Sequence, residues 1–360
     1  MREVIVLGSL LAVSLVGAFF TWTAEEPLPN AEDRIDMFAA SSGEVTGIAW
    51  KSDTLTVQVE KRSDALGEYS WITVTEPKQG KIRPPGDTDS EPEEEAKVTS
   101  FKGNDDAEEI WRLFSPLRAM RELSAADSAV YKLDQPLATI ELTRASGVLS
   151  LPVGAETYGG KDRYVGLGDK VFLVDDVDLK PLQFGKSRLM ERRLQPVAVE
   201  EADVVRVAQG ETNVPFTHKN RSDAEADFWS RGGTDTPDAA ASAWLTKLFK
   251  LRVQAYVEES ELPETELVLS YEVEGQGKTW KVEILKENKP ERPDFFAKTP
   301  FNRGAVKLTR SMANDMIADA PAVLAGTAPA PEKPAPKEPG AGPTPGAPHA
   351  PHPTPPPGHP

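Results

Sequence analysis

His218, in the polar run Thr217-His218-Lys219-Asn220-Arg221, is the residue with the widest chemical range in this sequence. An imidazole can serve a serine nucleophile as general base or hold a metal, but both uses need partners at defined spacing. The other three histidines, His349, His352 and His359, lie in a Pro-rich C-terminal stretch, and the chain has no cysteine. Neither a G-x-S-x-G elbow nor an H-E-x-x-H pair occurs in it. His218 therefore reads as a solvated side chain after a strand. The absence of cysteine excludes disulfides, thiol catalysis, iron–sulfur clusters, Cys-ligated zinc and anchoring through an N-terminal lipidated Cys.

Gly154-Ala-Glu-Thr-Tyr-Gly159-Gly160-Lys161-Asp162 has the look of a phosphate loop. It lacks the hydroxyl residue after Lys, and a strand pattern follows where phosphate cradling needs a helix N-terminus. Gly166-Leu167-Gly168 reads as a hairpin turn, not a dinucleotide fingerprint. With 57 Asp plus Glu, some carboxylates must lie close together, but no pair is singled out for glycoside chemistry. The run from Gly86 to Glu95 holds six acids in ten residues and fits no calcium-loop spacing, so it reads as a self-repelling loop. Lys186, Arg188, Arg192 and Arg193 form the one basic cluster. On a helix, Arg188 and Arg192 would share a face, and Asp175, Asp176, Asp178 and Glu191 supply ion-pair partners. No catalytic, cofactor-binding or metal-binding residue is assigned. The net charge of −16 excludes nucleic acid, which demands a concentrated basic surface.

Where these residues work is set by the two ends of the chain. Val4 to Trp22 is a run of 19 uncharged residues, roughly 29 Å as a helix, preceded by Arg2 and followed by Glu25 and Glu26. The charge bias predicts a cytoplasmic N-terminus and an extracytoplasmic body. Trp22 and Thr21 fit badly at the small-residue positions of a cleavage site, so residues 1–24 read as an uncleaved single-pass signal anchor in the inner membrane. At the other end, fifteen of the 32 prolines fall within residues 321–360, which therefore lack the apolar bulk for a core and read as an extended, disordered tail.

The body between them compares with itself. One constant displacement sets Phe114, Leu117 and Met120 on Leu245, Leu248 and Leu251, Leu137, Ile140 and Leu142 on Val268, Tyr271 and Val273, and Leu149, Leu151 and Val153 on Trp280, Val282 and Ile284. Tyr164 and Val165 fall on Phe295 and Phe296, and after a small insertion Val171 and Leu173 meet Val306 and Leu308. Upstream, Ile48 aligns with Val207 and Trp71 with Trp229.

Each copy reads as strands, a helix, a meander and a closing helix. The first has strands over 45–60 and 69–75, a helix capped by Asp105 or Asp106 with the stripe Ile110, Trp111, Phe114 and Leu117, and a helix near 179–194. Pro116 lies within that stripe and predicts a kink or an early end. In the second, Thr236-Pro237-Asp238 caps a helix carrying Ala241, Trp244, Leu245 and Leu248. Trp111 and Trp244 read as core residues. The expected fold class is α+β, with two modules of mainly antiparallel sheet, each packed by one or two helices. The expected organisation is an anchor over 1–24, a linker over 25–44, a first repeat over 45–195, a second over 196–320 and the tail over 321–360.

Several segments together resemble the bacterial domain-of-unknown-function family numbered 4340. They are Ile48-Ala-Trp50, Trp71-Ile-Thr-Val-Thr-Glu-Pro77, Tyr131-Lys-Leu-Asp-Gln-Pro136, Asp162-Arg-Tyr-Val165, Lys170-Val-Phe-Leu-Val174 and the Arg-bearing Lys186 to Leu194. The likeness is closer over residues 45–200 than over 200–310, and Tyr131-Lys132-Leu133 departs from the family's glycine-bearing form of that segment. The resemblance implies a membrane-anchored accessory of an ABC-type export system similar to those linked to gliding motility, with an ABC permease complex as partner and no catalytic residues to carry over. Two other readings stay open: an anchored envelope hydrolase with an unrecognised carboxylate pair, and a structural spacer that uses the Pro-rich tail.

Overall fold

Val57 and Val59 alternate with polar residues in one strand, and Ile72 and Val74 do so in the next, so each strand buries one face. That pattern repeats through the computed structural model, which describes residues 34–39, 43–77, 96–123, 129–223 and 225–329. In chain order the first part has β1 (Ile35–Asp36), β2 (Val45–Ser52), β3 (Thr56–Asp64), β4 (Gly67–Glu76), β5 (Lys97–Lys102), α1 (Asp105–Leu113), β6 (Arg118–Ala119), β7 (Arg121–Leu123), β8 (Ala138–Arg144), β9 (Gly147–Glu156), β10 (Asp162–Leu167), β11 (Lys170–Asp175), α2 (Asp176–Phe184) and α3 (Lys186–Leu189). The second part has β12 (Ala202–Gln209), β13 (Thr212–Lys219), β14 (Phe228–Arg231), α4 (Ala239–Phe249), β15 (Val253–Val257), β16 (Thr265–Gly275), β17 (Lys278–Glu287), β18 (Phe295–Thr299), β19 (Gly304–Leu308) and α5 (Arg310–Ala325).

The architecture is α+β with antiparallel sheets. One sheet has nine strands in the order β5-β4-β3-β2-β8-β9-β10-β11-β7, the other eight in the order β14-β13-β12-β16-β17-β18-β19-β15, and β1 with β6 forms a small ribbon. From β4 and from β14 the two orders run the same course, so within the two large sheets β5 alone has no counterpart. Even an irregularity recurs: the register slips between Val45 and Gly47 against β8, and between Ala202 and Val204 against β16.

The register corrects the residue correspondences read from the sequence. Ile48 lies opposite Leu142, and Val205 lies opposite Val273, so Ile48 corresponds to Val205 and not Val207. Trp229 takes the place of Ser70, not of Trp71, since His218 and Lys61 hold equivalent positions beside them. A register shift in β10 moves Val165 onto Ala297, which in turn sets Phe172 and Val174 on Val306 and Leu308. The helix caps Asn104 and Asp238 correspond, which sets Phe114 on Leu248 and Leu117 on Leu251. The slip of two at Ile48 and of three in the helix leave the apolar residues on nearly the same face, and the slips of one fall where neighbouring residues are both apolar, as in Phe295-Phe296-Ala297 and Val171 to Val174, so periodicity alone detects none of them.

Asn104 caps α1 by accepting from the Ala107 amide at 3.1 Å, in place of the expected Asp105 or Asp106. The helix ends at Leu113, ahead of Pro116. Asp238 caps α4, and Pro237 stands before the cap instead of in the first turn. The single helix expected near 179–194 is broken at Gly185, whose φ of 41° ends α2 before α3 begins. Arg192 therefore lies outside a helix and shares no helix face with Arg188. Trp111 donates to Ser70 Oγ at 2.8 Å and Trp244 to the Met316 carbonyl at 2.9 Å, both within the core. Helix α5 runs on to Ala325 through Pro321, with Val323 and Leu324 buried and Arg231 donating to their carbonyls, so the first residues of the expected tail belong to the fold. Among the described residues no helix is long and apolar enough to cross a membrane. The expected anchor at 4–22, the acidic run at 86–95 and the rest of the tail from 330 onward lie outside the described residues.

Candidate functional site

The segment after α3 is stitched to both sheets. Gly103 bridges Met190 antiparallel, the Asn104 amide donates to the Leu189 carbonyl at 2.9 Å, and the Glu191 amide donates to the Lys102 carbonyl at 3.0 Å. One residue on, the Val253 amide of β15 donates to the Arg192 carbonyl at 2.9 Å. Asn302 Nδ2 donates to the Arg193 carbonyl, Thr299 Oγ1 donates to that of Leu194, both at 3.1 Å, and Tyr271 donates to Gln195 Oε1 at 2.9 Å. Close approach at Gly103 requires glycine, because a Cβ there would stand 2.6 Å from Ala107 Cβ and 2.7 Å from Ile72 Cδ1.

A charge cluster lies beneath this segment. Glu191, 2% exposed, sits 2.7 Å from Arg193 and 3.8 Å from Lys102, whose side chain is 9% exposed. Arg193 also reaches Asp105 at 2.9 Å. Burial pulls the Lys102 ammonium down to about 8, against the opposing pull of Glu191. Its Nζ rests over the Phe301 ring, 3.8 Å from the centroid. The hydrogen bond to Glu191 holds the Arg193 guanidinium above its ordinary range. Tyr256 accepts from Asn302 Nδ2 at 2.9 Å and donates to the Glu191 carbonyl at 3.3 Å, and burial raises its phenol. A depressed lysine pKa often marks a nucleophile. Here the ammonium is sealed against Phe301 and Glu191 and does not line the neighbouring cleft, so its role is to join the two sheets.

That cleft, about 860 Å³, opens between the edge strands β5 and β15. Trp71 and Tyr256 close its inner end, edge to face at 6.4 Å, with Phe101 at 6.2 Å from Tyr256. Its walls mix charges: Lys281 pairs with Glu283 at 2.8 Å, Lys298 with Glu259 at 3.4 Å, and Arg303 with Asp64 across the two sheets at 2.8 Å. Arg303 also stacks 4.4 Å from the Tyr69 ring centroid. Lys97, Lys186, Glu258 and Glu261 complete the charged rim. Such a balanced wall is suited to a segment of low net charge rather than to a polyanion.

The structure scatters most residues that the sequence singled out. His218 is not solvated: its side chain is 3% exposed, stacked 4.5 Å from Trp229. Its Nδ1 meets the Ala202 carbonyl at 3.1 Å and its Nε2 meets Asp227 at 3.2 Å. Both nitrogens are committed to holding strands together. In the phosphate-loop lookalike, Gly154 sits in β9, where a Cβ would stand 2.0 Å from the Tyr131 carbonyl, so the glycine admits an overlying strap and not a phosphate. Of the expected partners of the basic cluster, only Glu191 pairs with one of its members, Arg193. Asp175 and Asp178 pair with Arg34, and Asp176 with Arg163 and Lys180. Lys102, Tyr256, Asn302 and Arg303 went unnoticed because they lie far apart in the chain and carry no motif. The one legible signal was Glu191 beside Arg193.

No curated protein and no solved structure matches the chain. The model of the family described as "Domain of unknown function (DUF4340)" matches residues 105–268, from α1 across the stitched segment to the start of β16. Lys102 and β5 fall just before that span, and Phe301 and Asn302 after it. Over residues 105–268 the chain is thus similar to the DUF4340 family, the one its sequence segments resemble.

Proposed function

We propose that this chain is a non-catalytic, membrane-anchored extracytoplasmic accessory or adaptor of an ABC-type export system, acting by contact at the cleft between its sheets. The observation that carries the reading is the cleft itself, held open between two sheet edges by a segment bonded to both. The groups with chemical potential near it, Lys102 and Glu191, are spent on that joint. Residues 4–22 supply the anchor, with the N-terminus in the cytoplasm and the body in the periplasm. The shared strand order and the repeated register slip support an origin of the two α+β units by internal duplication.

Crosslinking followed by purification in mild detergent tests the assignment. The expected result is co-recovery of a permease and its ATPase, lost when the cleft is filled by Ala255→Trp. Recovery of the chain alone after crosslinking, or from the soluble cell interior, overturns it.

A further inference from the structure

Among the described residues, the edge of β5 that faces the cleft carries backbone groups without a strand partner. In an antiparallel ladder, alternate residues exchange both hydrogen bonds with the neighbour while those between point theirs away. The Gly103 amide donates to the Ser70 carbonyl at 2.8 Å, which makes Lys102 opposite Trp71 a pair without mutual bonds. Phe101 and Thr99 are therefore bonded to β4, while Lys102, Ser100 and Val98 present N–H and C=O to the cleft. At Lys102 the chain uses this edge itself, since its carbonyl accepts the Glu191 amide. Beyond Glu191 the segment swings to β15, and among the described residues no backbone group pairs with the edge at Ser100 and Val98.

Bare edges are normally blunted by proline, a bulge or inward charge. Strand β5 has none of these over Val98 to Ser100, its register with β4 is unbroken, and Val98 is 60% exposed. It is also the strand without a counterpart in the second sheet, and it precedes the span that the family model matches.

We propose that the cleft is a strand-receiving slot. An extended segment of a partner protein pairs antiparallel with β5 at Val98 and Ser100, in line with Met190 and Glu191, and turns its other edge toward β15. The occupant is a proline-free, β-forming segment of low net charge. Continuity with the chain's own antiparallel segment at the closed end supports the geometry, and the balanced rim supports the charge. The Pro-rich stretch of this chain fits poorly, because proline lacks the N–H that an edge requires. The inference rests on the reading of the cleft as the docking surface.

The test is selection of random decapeptides displayed on phage against the full chain in mild detergent, followed by binding of the synthetic winner. Expected winners are free of proline and alternate β-branched or aromatic residues with polar ones. Ser100→Pro and Val98→Pro remove outward N–H groups and leave the β4 ladder intact, so each weakens binding by about tenfold or more. Ser100→Ala and Val98→Ala leave it within about twofold. Independently of any variant, the bound peptide slows hydrogen exchange at the Val98 and Ser100 amides of the unaltered chain. Failure to enrich a peptide, proline-rich or helical winners, or exchange unchanged at both amides overturns the proposal. Tighter peptide binding after removal of residues 330–360 makes the chain's own tail the occupant. A dimer abolished by Ser100→Pro makes it a second copy. Either result overturns the assignment to a partner. Peptide binding without a recovered export complex refutes only the wider function, and an intact complex without peptide binding refutes only the slot.

Discussion

Glu191 is the residue on which the joint between the sheets turns, since it faces two cations and little water. Removing one partner of a buried ion pair strands the other charge, so Glu191→Gln is expected to destabilise the fold by about 3–5 kcal/mol. Lys102→Met leaves Glu191 paired with Arg193 and is expected to stay within about 1 kcal/mol of the parent, because a desolvated cation is replaced by an apolar chain of similar length. Chemical denaturation of both variants checks the contrast. The pH dependence follows from the same lysine. Its folded value, about 8, lies below the ordinary 10.5, so between these the unfolded chain binds the proton more. The burial penalty is present in full below pH 8 and is lost toward 10.5, so stability from this group rises with pH across that window. Denaturation at intervals from pH 7 to 10.5 should show a rising component in the parent that Lys102→Met lacks. Equal slopes would remove Lys102 from the account.

At the scale of elements, caps and close approaches set the boundaries. Asp238→Ala removes the α4 cap and is expected to cost about 0.5–2 kcal/mol. Asn104→Ala removes the corresponding α1 cap and also the Nδ2 donor that reaches the Arg188 carbonyl at 2.7 Å, so it should cost more. It should also speed hydrogen exchange across residues 186–191, an effect absent from Asp238→Ala. On the first sheet, the Tyr131 strap lies so close over β9 that Gly154→Ala overpacks it, at about 1–3 kcal/mol. The Tyr131–Tyr164 ring contact, 4.4 Å between centroids, should be disturbed with it, which near-ultraviolet circular dichroism reports. A normal aromatic signal at full stability would show that the strap yields freely. These elements were largely legible beforehand: the strand expected over 69–75 lies within β4, and the stretch 45–60 takes in β2 and the first part of β3, because period-two alternation survives in each. The caps were less so, since Asn104, Asp105 and Asp106 all have the right chemistry and only the backbone decides among them.

Across the whole molecule, the two sheets are joined by a small set of contacts around Tyr256, Asn302, Arg303 and the 190–195 segment. A joint so local predicts that cooperativity depends on it. The parent should unfold in one transition, and the Tyr256→Ala, Asn302→Ala double variant in two, with a larger radius of gyration in solution scattering. A single transition in the double variant would mean that the sheets are coupled elsewhere. Because Tyr256 and Arg303 of this joint also line the cleft, Ala255→Trp should keep the single unfolding transition of the parent if it acts on docking alone.

The α+β class, the paired order of strands and helices and the core tryptophans followed from the sequence alone, because burial imposes a period on each element that needs no knowledge of its neighbours. The apolar run at 4–22 and the Pro-rich end are features of composition, and both lie outside the described residues apart from residues 321–329, where α5 runs on to Ala325. Only the tertiary structure decided the offset between the two units, the packing of His218 and the meeting of Lys102 with Glu191. It also decided that β5 and β15, which approach each other near Phe101 and Tyr256, border one cleft. The physical reason is one of range: periodicity is a local property, while an ion pair or a cleft depends on distances between residues that the chain's own order does not encode in any readable pattern.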